Sequence, residues 1–114
     1  MKVLDKRVYT VEELRERLTP IFKQFGLVKA AIFGSYARNE ATSKSDIDLL
    51  VYLDETFDLN KYLNFEAALK KALMKKIDIL EYRCINQFMQ EDILGEAVKL
   101  YERERQENSS YNLN

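Results

Sequence analysis

Three aspartates stand in apolar surroundings where a carboxylate needs a reason to be. Asp46 and Asp48 lie in Asp46-Ile47-Asp48-Leu49-Leu50-Val51-Tyr52-Leu53, and Asp78 lies in Ile77-Asp78-Ile79-Leu80. Buried like charges are costly unless they are paired or hold a cation. Two residues apart on a strand, Asp46 and Asp48 leave the same face, close enough to share cations. Each also has a plainer reading: the pair as solvated residues at a strand mouth, Asp78 as a strand-end partner of Lys75 or Lys76. Upstream, Gly34-Ser35 ends another apolar run. A glycine there lets backbone approach a ligand, and the turn that follows offers free amides to phosphate oxygens. Arg38 stands one turn beyond Ser35, within reach of the same phosphates. Magnesium prefers carboxylate and phosphate oxygens, so a glycine-serine cradle facing an Asp-x-Asp strand makes chemical sense as a nucleoside triphosphate site.

Composition narrows the alternatives. The chain has no histidine, which excludes Ser-His and Cys-His pairs and removes the commonest zinc ligand. Cys84 is the single cysteine, so one chain forms neither an internal disulfide nor a thiolate cluster. Lys and Arg number 18 against 19 acidic residues, a formal charge of -1 without the broad basic field of non-specific nucleic-acid binders. No direct nucleic-acid contact is expected. With 114 residues, 46% hydrophobic and 32% charged, the chain fits one globular domain. Met1 is followed by charged residues, and no run approaches the ~20 apolar residues of a membrane helix. A cytoplasmic protein without a membrane role is expected.

The elements that must carry these residues follow from pattern. Thr10-Val11-Glu12-Glu13 has the form of a capping box, and Val11, Leu14, Leu18, Ile21, Phe22 and Phe25 draw one apolar helical stripe as far as Gly26. Pro20 is expected to kink that helix or, with Thr19 as cap, to start a second one. Leu27 to Phe33 reads as a buried strand, Asp46 to Leu53 as a second and Ile77 to Tyr82 as a third. Between them Asp58 caps a helix with Leu59, Tyr62, Leu63, Phe65, Ala68, Leu69, Ala72 and Leu73 on its stripe. Lys70, Lys71, Lys75 and Lys76 form its solvated face and end. Phe88, Met89, Ile93, Leu94, Ala97, Val98 and Tyr101 again keep helical spacing, as two helices meeting near Gly95. The expected fold is α/β (α+β), a small mixed sheet with a three-stranded core packed with helices. The domain runs over 1–101, followed by a flexible tail over 102–114 in which Arg103 and Arg105 alternate with glutamates. Cys84 is expected as a small buried or strand-end residue.

Gly34-Ser35-Tyr36-Ala37-Arg38 followed by Ser45-Asp46-Ile47-Asp48-Leu49-Leu50-Val51 resembles the signature of the polymerase-beta nucleotidyltransferase superfamily, in particular its minimal (MNT) branch. Ile77-Asp78-Ile79-Leu80 matches the third acidic position, and the resemblance extends from Val11 to Tyr101, including the ending Ile93-Leu94-Gly95-Glu96-Ala97-Val98-Lys99-Leu100-Tyr101. One departure is Asn39, where the branch usually has glycine; asparagine tolerates left-handed backbone better than most residues. The resemblance implies that Gly34 and Ser35 hold the triphosphate of ATP, and Arg38 is expected from its position to join them in binding the nucleotide. It implies that Asp46, Asp48 and Asp78 bind two magnesium ions, with Asp78 also helping to deprotonate the acceptor hydroxyl. Nucleotidyl transfer by in-line attack needs no histidine.

With 114 residues covering the catalytic core, no separate lid or acceptor pocket is expected. Many MNT proteins are antitoxins paired with HEPN-domain RNase toxins, and some transfer AMP to a toxin tyrosine. That is the leading expectation. A second is an antitoxin that masks its toxin non-covalently, with Phe88, Met89, Ile93 and Tyr101 as candidate interface residues for which core packing is the commoner reading, and a third is transfer to a small molecule at a pocket between subunits. Of the tyrosines, only Tyr111 in the expected tail is a candidate for self-modification.

Overall fold

A computed structural model describes residues 7–104. The capping box forms as its sequence requires: Glu13 N–H donates to Thr10 Oγ1 at 3.0 Å and Thr10 N–H to Glu13 Oε1 at 2.9 Å. Helix α1, Val11–Phe25, buries Leu14, Leu18 and Phe22 and closes on Gly26 in the left-handed conformation, φ 69°. Pro20 neither ends this helix nor starts another. The Thr19 hydroxyl, expected as a possible cap, instead donates to Arg15 O at 2.6 Å within the continuing helix.

Strands β1 (Lys29–Phe33) and β2 (Ile47–Tyr52) pair antiparallel. Helix α2, Leu59–Leu73, starts where Asp58 Oδ1 accepts from Lys61 N–H at 2.8 Å, and returns the chain to β3 (Ile77–Glu81), parallel to β2. A 3-10 turn at Tyr82–Cys84 leads to α3, Gln87–Glu96. The final element corrects the expectation of two helices meeting near Gly95. Gly95 lies inside α3, and Val98–Glu102 is a strand, β4, antiparallel to β1. The sheet therefore has four strands in the order β3-β2-β1-β4. Ala97, Val98 and Tyr101 satisfy helical spacing on paper, but the pairing with β1 overrides so short a signal. Glu102 belongs to this strand and Arg103 N–H donates to Val28 O at 3.0 Å, so the expected tail begins inside the sheet. Arg105, Glu107 and Tyr111 lie outside the described residues.

Alternation along the strands divides the sheet. Ala30, Ile32, Ile47, Leu49, Val51, Ile77 and Leu100 join Leu14, Leu18, Phe22, Phe65, Leu69 and Leu73 in one cluster under α1 and α2. Ala31 and Leu50 on the other face meet only Ile85 and Ile93 as buried partners. Tyr9 Oη donates to Leu73 O at 2.9 Å, tying the entry of α1 to the end of α2. Past that end the chain turns through Met74 in the left-handed conformation, φ 55°. Two further expectations change here. Lys75 is buried, its Nζ donating to Ser43 O at 3.4 Å, rather than solvated. Cys84 is exposed, which removes the buried alternative, and lies on the 3-10 turn that directly follows the end of β3.

Candidate active site

The sheet puts the three aspartates on its thinly covered face. Asp48 lies opposite Asp78 in the parallel β2–β3 register, and opposite Phe33, the last residue of β1, on its other side. Asp46 lies two residues before Asp48, just outside β2, at a point fixed by Ile47 N–H donating to Lys76 O at 3.0 Å. Burial first, then the Asp78 and Asp46 carboxylates, push the Asp48 carboxyl above its ordinary value, while Arg38 pulls it down. Asp78 is exposed and Asp46 half-buried. Lys76, expected as a partner for Asp78, instead has its Nζ 3.8 Å from Asp46 Oδ2.

Gly34 follows β1 with φ 74°, and a Cβ there would collide with Asp48 Oδ2 and lie 3.1 Å from its Cγ. The Asp48 carboxylate thus packs over a position that only glycine can fill, which joins the Gly34-Ser35 turn to the acidic strand. The turn after Gly34 is closed by Arg38 N–H to Gly34 O at 3.1 Å, Asn39 N–H to Tyr36 O at 3.3 Å and Glu40 N–H to Ser35 O at 2.9 Å. Asn39 takes the left-handed conformation, φ 61°, so the turn keeps its shape with asparagine at that position. Tyr36 is buried beneath the turn and Ser35 is half-buried.

One acidic residue that sequence reasoning did not assign to the site is attached to it. Glu96, at the end of α3, accepts from Gly34 N–H at 2.8 Å through Oε2 and from Arg38 Nη1 at 3.0 Å through Oε1. Arg38 Nε also donates to Glu40 Oε1 at 3.0 Å. Gly34 first, then Arg38, holds the Glu96 carboxyl below its ordinary value. Glu96 is far from both partners in sequence and no local pattern announces it.

The donor set suits a hard divalent cation, because three carboxylates supply hard oxygens and the Asp48 carboxyl, raised by burial first and then by Asp78 and Asp46, has like charges beside it that a cation would offset. Among the described residues, no three such side chains stand close enough as they are to hold one ion together. No helix among the described residues is long and apolar enough to cross a membrane.

The polymerase-beta nucleotidyltransferase family model matches residues 16–106. A Methanocaldococcus jannaschii protein provisionally named a protein adenylyltransferase is 39% identical over 88 residues, 77% of this chain and 95% of its own. The protein adenylyltransferase MntA of Thermococcus cleftensis is 32% identical over 93 residues, 78% of this chain and 94% of its own. In the fold, the chain resembles one from the solved complex of a tri-AMPylated Shewanella oneidensis HEPN toxin with an MNT antitoxin. That match has a TM-score of 0.62 and 18% identity, over 82% of this chain and 74% of the other. The family signature, the acidic strand pair and the glycine turn agree, and the chain belongs to the polymerase-beta nucleotidyltransferase family.

Proposed function

We propose that this nucleotidyltransferase is an antitoxin that transfers AMP from ATP to a tyrosine of a cognate HEPN RNase toxin in the cytoplasm and so silences it. The observation that carries the reading is the placement of Asp46, Asp48 and Asp78 on one sheet face, with Asp48 packed over Gly34. The names of the M. jannaschii and T. cleftensis relatives support protein as the acceptor, and the AMPylated toxin in the S. oneidensis complex supports its kind.

In this reading Gly34, Ser35 and Arg38 hold the triphosphate, and Asp46, Asp48 and Asp78 hold two magnesium ions. When bound, the metal supplies positive charge to the phosphate oxygens. The chain's own contribution is to orient. Gly34 brings backbone close to the phosphates, Arg38 presents donors to them, and Asp78, exposed at the open edge of the sheet, takes the proton of the incoming tyrosine hydroxyl. The tyrosine oxygen bonds to the α-phosphorus as the bond to pyrophosphate breaks. Intact-mass measurement of the co-purified partner with ATP and magnesium tests this. Wild type adds AMP, Asp46→Asn adds none, and unchanged masses with a folded wild-type pair would overturn it.

Non-covalent masking is the second reading. Phe88, 90% exposed, with Met89 and Leu94, leaves apolar surface on α3 for a protein partner, whereas Ile93 and Tyr101 pack into the clusters, the commoner of the two readings for them. Masking survives Asp46→Asn; catalysis does not.

A further inference from the structure

We infer that Glu96 is a positioning residue for the nucleotide-binding turn, fixing Gly34 and Arg38 relative to Asp48. The inference rests on the nucleotide reading of that turn and adds to it a residue from the far end of the chain. The turn's backbone hydrogen bonds from Arg38, Asn39 and Glu40 are all local, returning to Gly34, Tyr36 and Ser35. Glu96 supplies a different kind of tether. Its two oxygens engage separate donors, the Gly34 amide at 2.8 Å and the Arg38 guanidinium at 3.0 Å, across 62 and 58 residues of sequence.

Glu96 is itself anchored. It ends α3, two residues before Val98, which pairs with Ile32 of β1, and Ile93 one turn earlier is buried against the sheet. A carboxylate held this way has little freedom to swing aside, so it acts as a bracket rather than a stand-in for phosphate. Arg38 contributes Nε to Glu40 and Nη1 to Glu96, which holds the guanidinium plane by two edges and leaves Nη2 for the nucleotide. Holding donors in place before substrate arrives lowers the ordering cost of binding, and the effect shows in nucleotide affinity more than in the chemical step.

The test uses the full chain with its partner, as wild type, Glu96→Ala and Glu96→Gln. KM for ATP and kcat of AMP transfer are measured with magnesium, and hydrogen exchange of the Gly34 amide is measured in the protein without nucleotide. Glu96→Ala is expected to raise KM about 10-fold with kcat within about 3-fold, and to speed Gly34 exchange. Glu96→Gln retains an acceptor for the Gly34 amide and loses the ion pair, so its KM falls between the two. An unchanged KM and unchanged exchange in Glu96→Ala would overturn the positioning role while leaving AMP transfer intact. A lowered KM would overturn it too, because the carboxylate would then be competing with phosphate. A folded wild type that transfers no AMP defeats the proposed function instead, and Gly34 exchange still decides whether Glu96 fixes the turn.

Discussion

The two faces of the sheet are built differently. Under α1 and α2, Phe22, Phe65, Leu69 and Leu73 are fully buried against Ile32, Leu49 and Val51, and among the described residues no acidic or basic strand residue joins that cluster. On the other face Leu50 and Ala31 share cover from Ile85 and Ile93, and the same face carries Asp48 and Asp78 toward one end. A face closed by two long helices supplies stability, and one closed by a short helix leaves room for charge, metal and substrate. The lesson is a division of labour within one strand: Leu49 and Val51 pack into the core under the helices while Asp48, between Ile47 and Leu49, faces the candidate site.

The largest expected effect separates the faces outright. Asp48→Asn should reduce AMP transfer by about 1,000-fold or more while the protein stays folded. Because the folded state raises the Asp48 carboxyl above its unfolded value, the charged group costs stability increasingly as pH rises through the carboxylate range. The asparagine variant should therefore have a higher melting midpoint at neutral pH, and a lower one would mean that Asp48 is structural. On the helix face, Phe65→Ala should cost about 3–5 kcal/mol in denaturant unfolding with catalysis per folded molecule retained. Ile93→Ala, on the thin face, should cost about 2 kcal/mol and speed exchange chiefly in α3, sharpening the contrast in cover.

The smallest effect lies at the end of the sheet away from the carboxylates. The Thr56 hydroxyl and then Arg103 hold the Asp54 carboxyl at about 2. Since that value is depressed, the stabilisation is complete above the ordinary 3.8 and disappears as pH falls toward about 2. Asp54→Asn should lower stability by under about 1 kcal/mol at neutral pH and flatten the acid limb of the stability curve. An unchanged acid limb would remove Asp54 from the account of stability.

Much of this was legible in local pattern. Thr10 and Asp58 announce the starts of α1 and α2 because capping is a contact between near neighbours, and the acid residues of β2 and β3 stand out against Ile and Leu. What escaped depends on distant partners. Val98–Glu102 becomes a strand because β1 offers an edge, Pro20 stays inside α1 because packing of Leu18 and Phe22 holds the helix together, and Lys75 is buried where the chain turns past Met74. Glu96 was invisible for the same reason: its meaning comes from Gly34 and Arg38, met only in the fold.

The most direct test of the carboxylate face as the reaction site is an amide-shift titration of the isotope-labelled protein with magnesium and a non-hydrolysable ATP analogue. Shifts concentrated at Gly34 to Arg38, Asp46 to Asp48, Asp78 and Glu96, with α2 residues such as Leu69 and Leu73 unmoved, are the predicted result. Saturable shifts centred on the α1–α2 face, with Gly34 and Asp48 silent, would contradict it.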